Sequence, residues 1–148
     1  MKKILTLLEL IDYDYYDVID KENVEERYIV GYFFNSKCFN EAISLCETRK
    51  EINEKIKITE FNFECNYNQK YVYVLFYEYS ILNNNEYTDY YEYFEPQSSY
   101  KKCLSQKNKL LKNNKYKKSF NRIFDGSKDG FRIEKIKIDF ISHINYKN

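Results

Sequence analysis

The chain has 148 residues, with 24 Lys and Arg against 23 Asp and Glu for a net charge of +1, and 19% of it is aromatic. That length supports one sizeable core or two small ones. No apolar run approaches the ~18 residues of a membrane span, and the balanced charge argues against a dedicated nucleic-acid binder, whose domains are clearly basic.

The opening Met-Lys-Lys-Ile-Leu-Thr-Leu-Leu imitates a secretory signal, but Glu9 and Asp12 interrupt the apolar stretch and no small-residue cleavage site follows. The segment is expected to be a strand, apolar on both faces and therefore central in its sheet, with a cytoplasmic protein as the corollary. A long acidic loop is expected next, with Asp12, Tyr13, Asp14, Tyr15, Tyr16, Asp17 and Asp20 alternating carboxylates and rings. A second strand is predicted over Arg27–Phe34. Phe39, Ala42, Ile43 and Cys46 then fall at i, i+3, i+4 and i+7, the single apolar stripe of a helix. Residues Ile56–Glu64 read as a third strand, and Asn66-Tyr67-Asn68-Gln69 as a short connector.

The pattern then starts again. Residues 71–81 alternate Val72, Val74 and Phe76 with Tyr73, Leu75, Tyr77 and Tyr79, another strand apolar on both sides. An Asn83-Asn84-Asn85 turn precedes a strand at Asp89–Glu95, and Pro96 suits a helix start with Ser98 or Ser99 as cap. Tyr100, Cys103, Leu104 and Lys107 occupy the helical stripe, with Leu110 and Leu111 extending it. About 14 extra residues, ending in the turn-rich Asp125–Gly130, precede a last strand at Phe131–Phe140.

Three segments recur in the same order: YVYVLFYEYS over KKILTLLELI at an offset of 69, EYFEPQSSYKKCLS over GYFFNSKCFNEAIS at 61, and IEKIKIDF over ITEFNFEC at 75. The expectation is an α+β fold made as a tandem pseudo-repeat of two β-β-α-β units, each with one helix on a small, mostly antiparallel sheet. The units span 1–66 and 67–148 and pack as one pseudo-symmetric domain. Tyr73, Tyr77 and Tyr79 share one strand face, a patch that either the other repeat or a second copy of the chain, as a homodimer, must cover.

The second copy resembles a small bacterial and phage domain family of unknown function. The resemblance rests on Val72-Tyr73-Val74-Leu75, Glu78-Tyr79, Tyr93 through Ser99, Gly130-Phe131-Arg132-Ile133, and Ile138-Asp139. It covers residues 71–140 and implies the α+β fold, with no agreed activity to carry over. Cys103 stands at the small helix position, and Asp125–Asp129 replaces a proline-rich lead-in to Gly130. The first copy is more divergent and lacks the Gly-Phe pair. Codons for the abundant Lys, Asn, Ile, Phe and Tyr are AT-rich, which points to an AT-rich bacterial or phage gene.

Catalytic chemistry is not expected. The single histidine, His143, has no positioned partner in sequence, and there is no GxSxG, phosphate-cradling glycine loop or metal-ligand spacing. No cofactor is expected. Cys38, Cys46, Cys65 and Cys103 lack CxxC spacing and read as small buried thiols, not as a disulfide or zinc set. Glu9 and Glu78 fall at equivalent repeat positions, where they form a symmetric carboxylate pair or simply mark where each strand leaves the core.

Charge, by contrast, is segregated. Residues 1–66 carry 9 Lys and Arg against 14 Asp and Glu, and the remainder 15 against 9. The leading expectation is a non-enzymatic protein-binding module, an inhibitor in bacterium–phage conflict of the anti-CRISPR or immunity-protein kind. It would present Asp12 to Asp20 to another protein, such as a nucleic-acid-handling effector. The alternative is RNA or single-stranded DNA binding through the Lys-rich segment 101–122. Lys109, Lys112, Lys115, Lys117, Lys118 and Arg122 would then meet phosphates while a base stacks on Tyr116.

Overall fold

In the computed structural model, residues 1–17, 22–83, 85–116 and 130–141 are described, with backbone alone for 13–17, 22–25, 79–83 and 86–91. The chain divides into two compact units, Met1–Tyr71 with Ile136–Asn148, and Val72–Lys135. The fold is α+β, with two helices and two three-stranded antiparallel sheets.

In the first unit, β1 (Lys2–Asp17) lies between β2 (Glu22–Phe33) and β3 (Glu54–Glu64). The doubly apolar pattern of residues 4–11 demands this place, since only a central strand can be buried on both faces. Leu5, Leu7, Leu8, Leu10 and Ile11 are all buried. Leu8 and Leu10 pack with Val30 and Phe33 against Ala42 and Cys46 of α1 (Ser36–Arg49), the expected helical stripe. Asn35 caps this helix by accepting from the Lys37 and Cys38 N–H groups.

The chain end completes the unit. Asp139, in the left-handed region at φ 61°, donates its N–H to the Tyr32 carbonyl at 2.8 Å. Its Oδ1 accepts from the Phe34 and Asn35 N–H groups at 2.9 Å each, so the link from β2 to α1 is tied down from a hundred residues away. Phe140 passes so near β2 that a Cβ at Gly31 would lie 2.5 Å from its carbonyl oxygen.

In the second unit, β4 (Tyr71–Asn83) lies between β5 (Glu86–Tyr93) and β6 (Phe131–Lys137). Asn85, at φ 65°, turns the β4–β5 hairpin, a conformation that asparagine tolerates better than most residues. Helix α2 (Tyr100–Leu110), with Leu111 as its C-cap, spans the expected stripe. Gln97 bridges back to Tyr73, and Ser99, not Ser98, caps the helix by accepting from the Lys102 N–H at 3.2 Å. Cys103 is buried on this helix, whereas Tyr100 and Leu104 are exposed.

Leu75 and Tyr77 instead pack with Tyr116 and Phe131, joined by Phe94, Leu110 and Leu111. This changes the reading of the tyrosine face. Tyr77 is buried by its own unit, because the 3-10 turn Asn114–Tyr116 folds the Tyr116 ring edge-on against it at 5.0 Å. Neither a second repeat nor a second chain is needed to cover that ring. Arg132 ties β6 to β4 through Glu78 and also meets Glu134, with its guanidinium 4.6 Å from the Phe76 ring centre. Burial works to lower the Arg132 pKa, but the Glu78 hydrogen bond and the Glu134 charge outweigh it and leave it raised.

Cys46, Cys65 and Cys103 are buried, Cys38 is half-buried, and all four are free thiols. Burial, then the charges of Glu54 and Glu47, push the Cys46 thiol from 9.0 up to about 11, and burial alone does the same to Cys103. Iodoacetamide at neutral pH is therefore expected to modify Cys38 first, read by peptide mass spectrometry. Cys46 and Cys103 hold their protons above the pH at which the unfolded chain loses them. Their contribution to stability is thus complete below pH 9.0 and disappears as pH climbs to about 11.

Candidate functional site

Three surfaces compete for the functional role, and the acidic one is built differently from expectation. The segment Asp12–Asp17 is strand, not loop. Alternating tyrosines favour extended backbone, and β2 pairs with the segment through Tyr15↔Val24, Tyr16↔Asn23 and Asp17↔Glu22. The third strand does not follow, because the β1–β3 register ends at Asp12↔Glu54. Beyond that point β1 and β2 continue as a two-stranded ribbon. A register shift between Asp12 and Tyr15 inserts an extra residue on β1, so that Asp12 and Asp17 both sit opposite acids of β2.

The register sets like charges across from each other. Asp12 lies between Glu26 on β2 and Glu54 on β3, and Asp17 lies opposite Glu22. Directly opposed like charges destabilise a sheet, where favourable cross-strand pairs contribute roughly 0.2–1 kcal/mol each. Glu54 is itself buried, its carboxylate accepting from the Glu51 N–H at 2.7 Å. Sequence reading missed Glu54, because only the pairing of β3 with β1 brings it to Asp12. Tyr13, Asp14, Tyr15 and Tyr16 lie on the ribbon by backbone position, and Asp20 lies outside the described residues.

The basic surface fares less well. Lys109, at the end of α2, and Lys112 and Lys115, after it, are exposed. Tyr116 is 7% exposed and serves the core, so its ring offers no face for a base. Its pKa is raised by burial first and by the Glu92 charge, against an opposing pull from Lys115. Lys117, Lys118 and Arg122 lie outside the described residues, as does His143.

Glu9 does not mark where its strand leaves the core, since Leu10 and Ile11 beyond it are buried. Glu9 is 1% exposed and forms an ion pair with Arg27 of β2 at 3.3 Å, while Glu78 pairs with Arg132 of β6. Each carboxylate ties the central strand of its sheet to a neighbour.

The third surface is an open cleft of about 530 Å³ in the first unit, lined by Met1, Lys3, Phe34, Asn35, the Tyr67–Lys70 connector and Asp139. Nothing in the periodicity marked it, since its walls come from distant segments that only the fold assembles. Among the described residues no group of three or more His, Cys, Asp or Glu is arranged to hold a metal ion, and no helix is long and apolar enough to cross a membrane. No family model, curated protein or solved structure matches the chain.

Proposed function

We propose that this chain is a non-enzymatic binding module whose acidic ribbon docks into a basic, nucleic-acid-handling groove of another protein and blocks it. The carrying observation is the acid-opposite-acid register of Asp12 with Glu26 and Glu54, and of Asp17 with Glu22. Rows of carboxylates set by strand register offer cationic groups of a partner a complementary surface. Tyrosines interleaved with the carboxylates supply contact area with little side-chain entropy to lose.

The inhibitory setting, bacterium–phage conflict, draws on the residue bias and on the resemblance of residues 71–140 to a small bacterial and phage family. We also read the chain as a duplicated β-β-α-β unit. The repeated element order supports this, as do the central placement of β1 and β4 and the matching helix ends at Arg49 and Leu110, which keep the offset of 61. Tyr116 in the core leaves the competing nucleic-acid reading without its stacking platform, which is why the acidic surface is preferred.

Affinity capture from a bacterial lysate, followed by binding of the purified partner, tests the reading. Changing Asp12, Asp14, Asp17 and Asp20 to Asn is expected to weaken binding on the order of tenfold or more and to flatten its salt dependence. The partner's own hold on nucleic acid should fall when the wild-type chain is present. Equal binding by the neutralised variant would sink the proposal.

A further inference from the structure

The cleft of the first unit has the parts of a ligand site that the acidic ribbon does not use. Its connector is a rigid turn: the Asn66 N–H donates to Gln69 Oε1, the Gln69 N–H to the Asn66 carbonyl, and Gln69 Nε2 to the Tyr71 carbonyl. Asn68 holds a left-handed φ of 60° within it. This turn presents the Tyr67 ring 86% exposed beside the cleft. The bonded turn fixes the backbone that carries the ring, so a ligand meets an ordered attachment point beside the cleft.

Charge and hydrogen-bonding capacity surround that ring. Among the described residues neither Lys3 nor Lys70 has a carboxylate partner within ion-pair distance, and the Lys3 ammonium rests 5.3 Å from the Phe34 ring centre. The Met1 amino group is already engaged by Glu64 at 2.7 Å. Asp139 spends Oδ1 on two backbone N–H groups, and among the described residues its Oδ2 accepts no hydrogen bond. Two ammonium groups against one carboxylate leave the cleft net positive, with an acceptor and an exposed ring at hand. Its volume of about 530 Å³ lies within the ~300–1,000 Å³ typical of small-ligand sites.

We infer that this cleft binds a nucleotide. Lys3 and Lys70 take the phosphate, Tyr67 stacks the base, and Asp139 Oδ2 accepts from a base N–H. A plain anion would leave the ring and the carboxylate unused, and an apolar ligand would strand both ammonium groups. The same chemistry is carried by a free mononucleotide or by one unit of a single strand.

Calorimetric titration with AMP, GMP, CMP and UMP, together with anisotropy of fluorescein-labelled ten-mers of dT and rA, separates these sources. A free-nucleotide site binds a mononucleotide as tightly as a ten-mer. A strand site binds the ten-mer more tightly and loses it as salt rises. In either case Tyr67→Ala, a change at an exposed ring, is expected to weaken binding about tenfold. Lys3→Gln with Lys70→Gln should remove the phosphate dependence, seen as equal affinity for nucleotide and nucleoside. The quadruple ribbon variant and Lys112→Glu with Lys115→Glu should bind as wild type does, so this site fails or stands apart from the ribbon. The inference is overturned by no binding at millimolar nucleotide, by indifference to Tyr67→Ala, by inorganic phosphate competing as well as AMP, or by loss only in the Lys112 and Lys115 variant.

Discussion

Tyr116→Ala is expected to cost about 3–5 kcal/mol of stability, the range for emptying a buried aromatic site. The ring contacts Tyr77 at 5.0 Å, Phe131 at 5.7 Å and Phe94 at 5.9 Å, so its removal opens a hole that these three aromatic neighbours cannot jointly close. Tyr116→Phe keeps the ring and forfeits only the hydroxyl, a change of about 1 kcal/mol. Urea unfolding followed by circular dichroism reads both variants, with the midpoint falling far more for alanine than for phenylalanine. The pair also decides between two jobs for this ring. A base-stacking surface residue would tolerate alanine with unchanged stability, and that result would return Tyr116 to the nucleic-acid reading.

The second large effect is expected at Gly31. Alanine there places a Cβ 2.5 Å from the Phe140 carbonyl oxygen and 2.8 Å from the Phe33 ring, and backbone is a poor candidate to give way. Overpacking of this kind costs about 1–3 kcal/mol. The damage should be confined to the docking of the chain end. Amide exchange at Phe34 and Asn35, whose N–H groups are held by Asp139, should speed up before that of Leu8 or Leu10. Asp139→Ala should reproduce that exchange pattern. Asp139→Asn should largely restore protection, because its amide oxygen still accepts and asparagine tolerates a φ of 61°. Gly31→Ala and Asp139→Ala should fall short of additive, since each releases the same strap. Additive losses with normal amide protection would show that the strap does not hold this corner.

Much of this architecture is legible one segment at a time. The doubly apolar runs at 4–11 and 71–77 place their strands centrally, because burial on both faces is possible nowhere else in a three-stranded sheet. Helix α1 follows from the i, i+3, i+4, i+7 stripe at Phe39 to Cys46, reinforced by an asparagine cap. The second helix was harder to read. Tyr100 and Leu104 belong to its apolar stripe in sequence, yet both are exposed, and the core is completed by Leu110 and Leu111 at the end of the stripe and by Tyr116 beyond it. The acidic stretch after Asp12 looked like a loop because its charge outweighed its alternation, whereas its alternating tyrosines suit a paired strand.

Local pattern therefore settles which stretches become strands and helices, since periodicity and capping act over a few neighbouring residues. Which carboxylates face one another, that Tyr116 is core and not surface, and that Asp139 closes the β2–α1 corner are decided only when distant segments meet. Strand register and long-range hydrogen bonds are properties of pairs of segments, and no single stretch of chain encodes its own partner. The cleft shared by Lys3, Tyr67, Lys70 and Asp139 belongs to that second category, as does the acidic row of Glu26, Asp12 and Glu54.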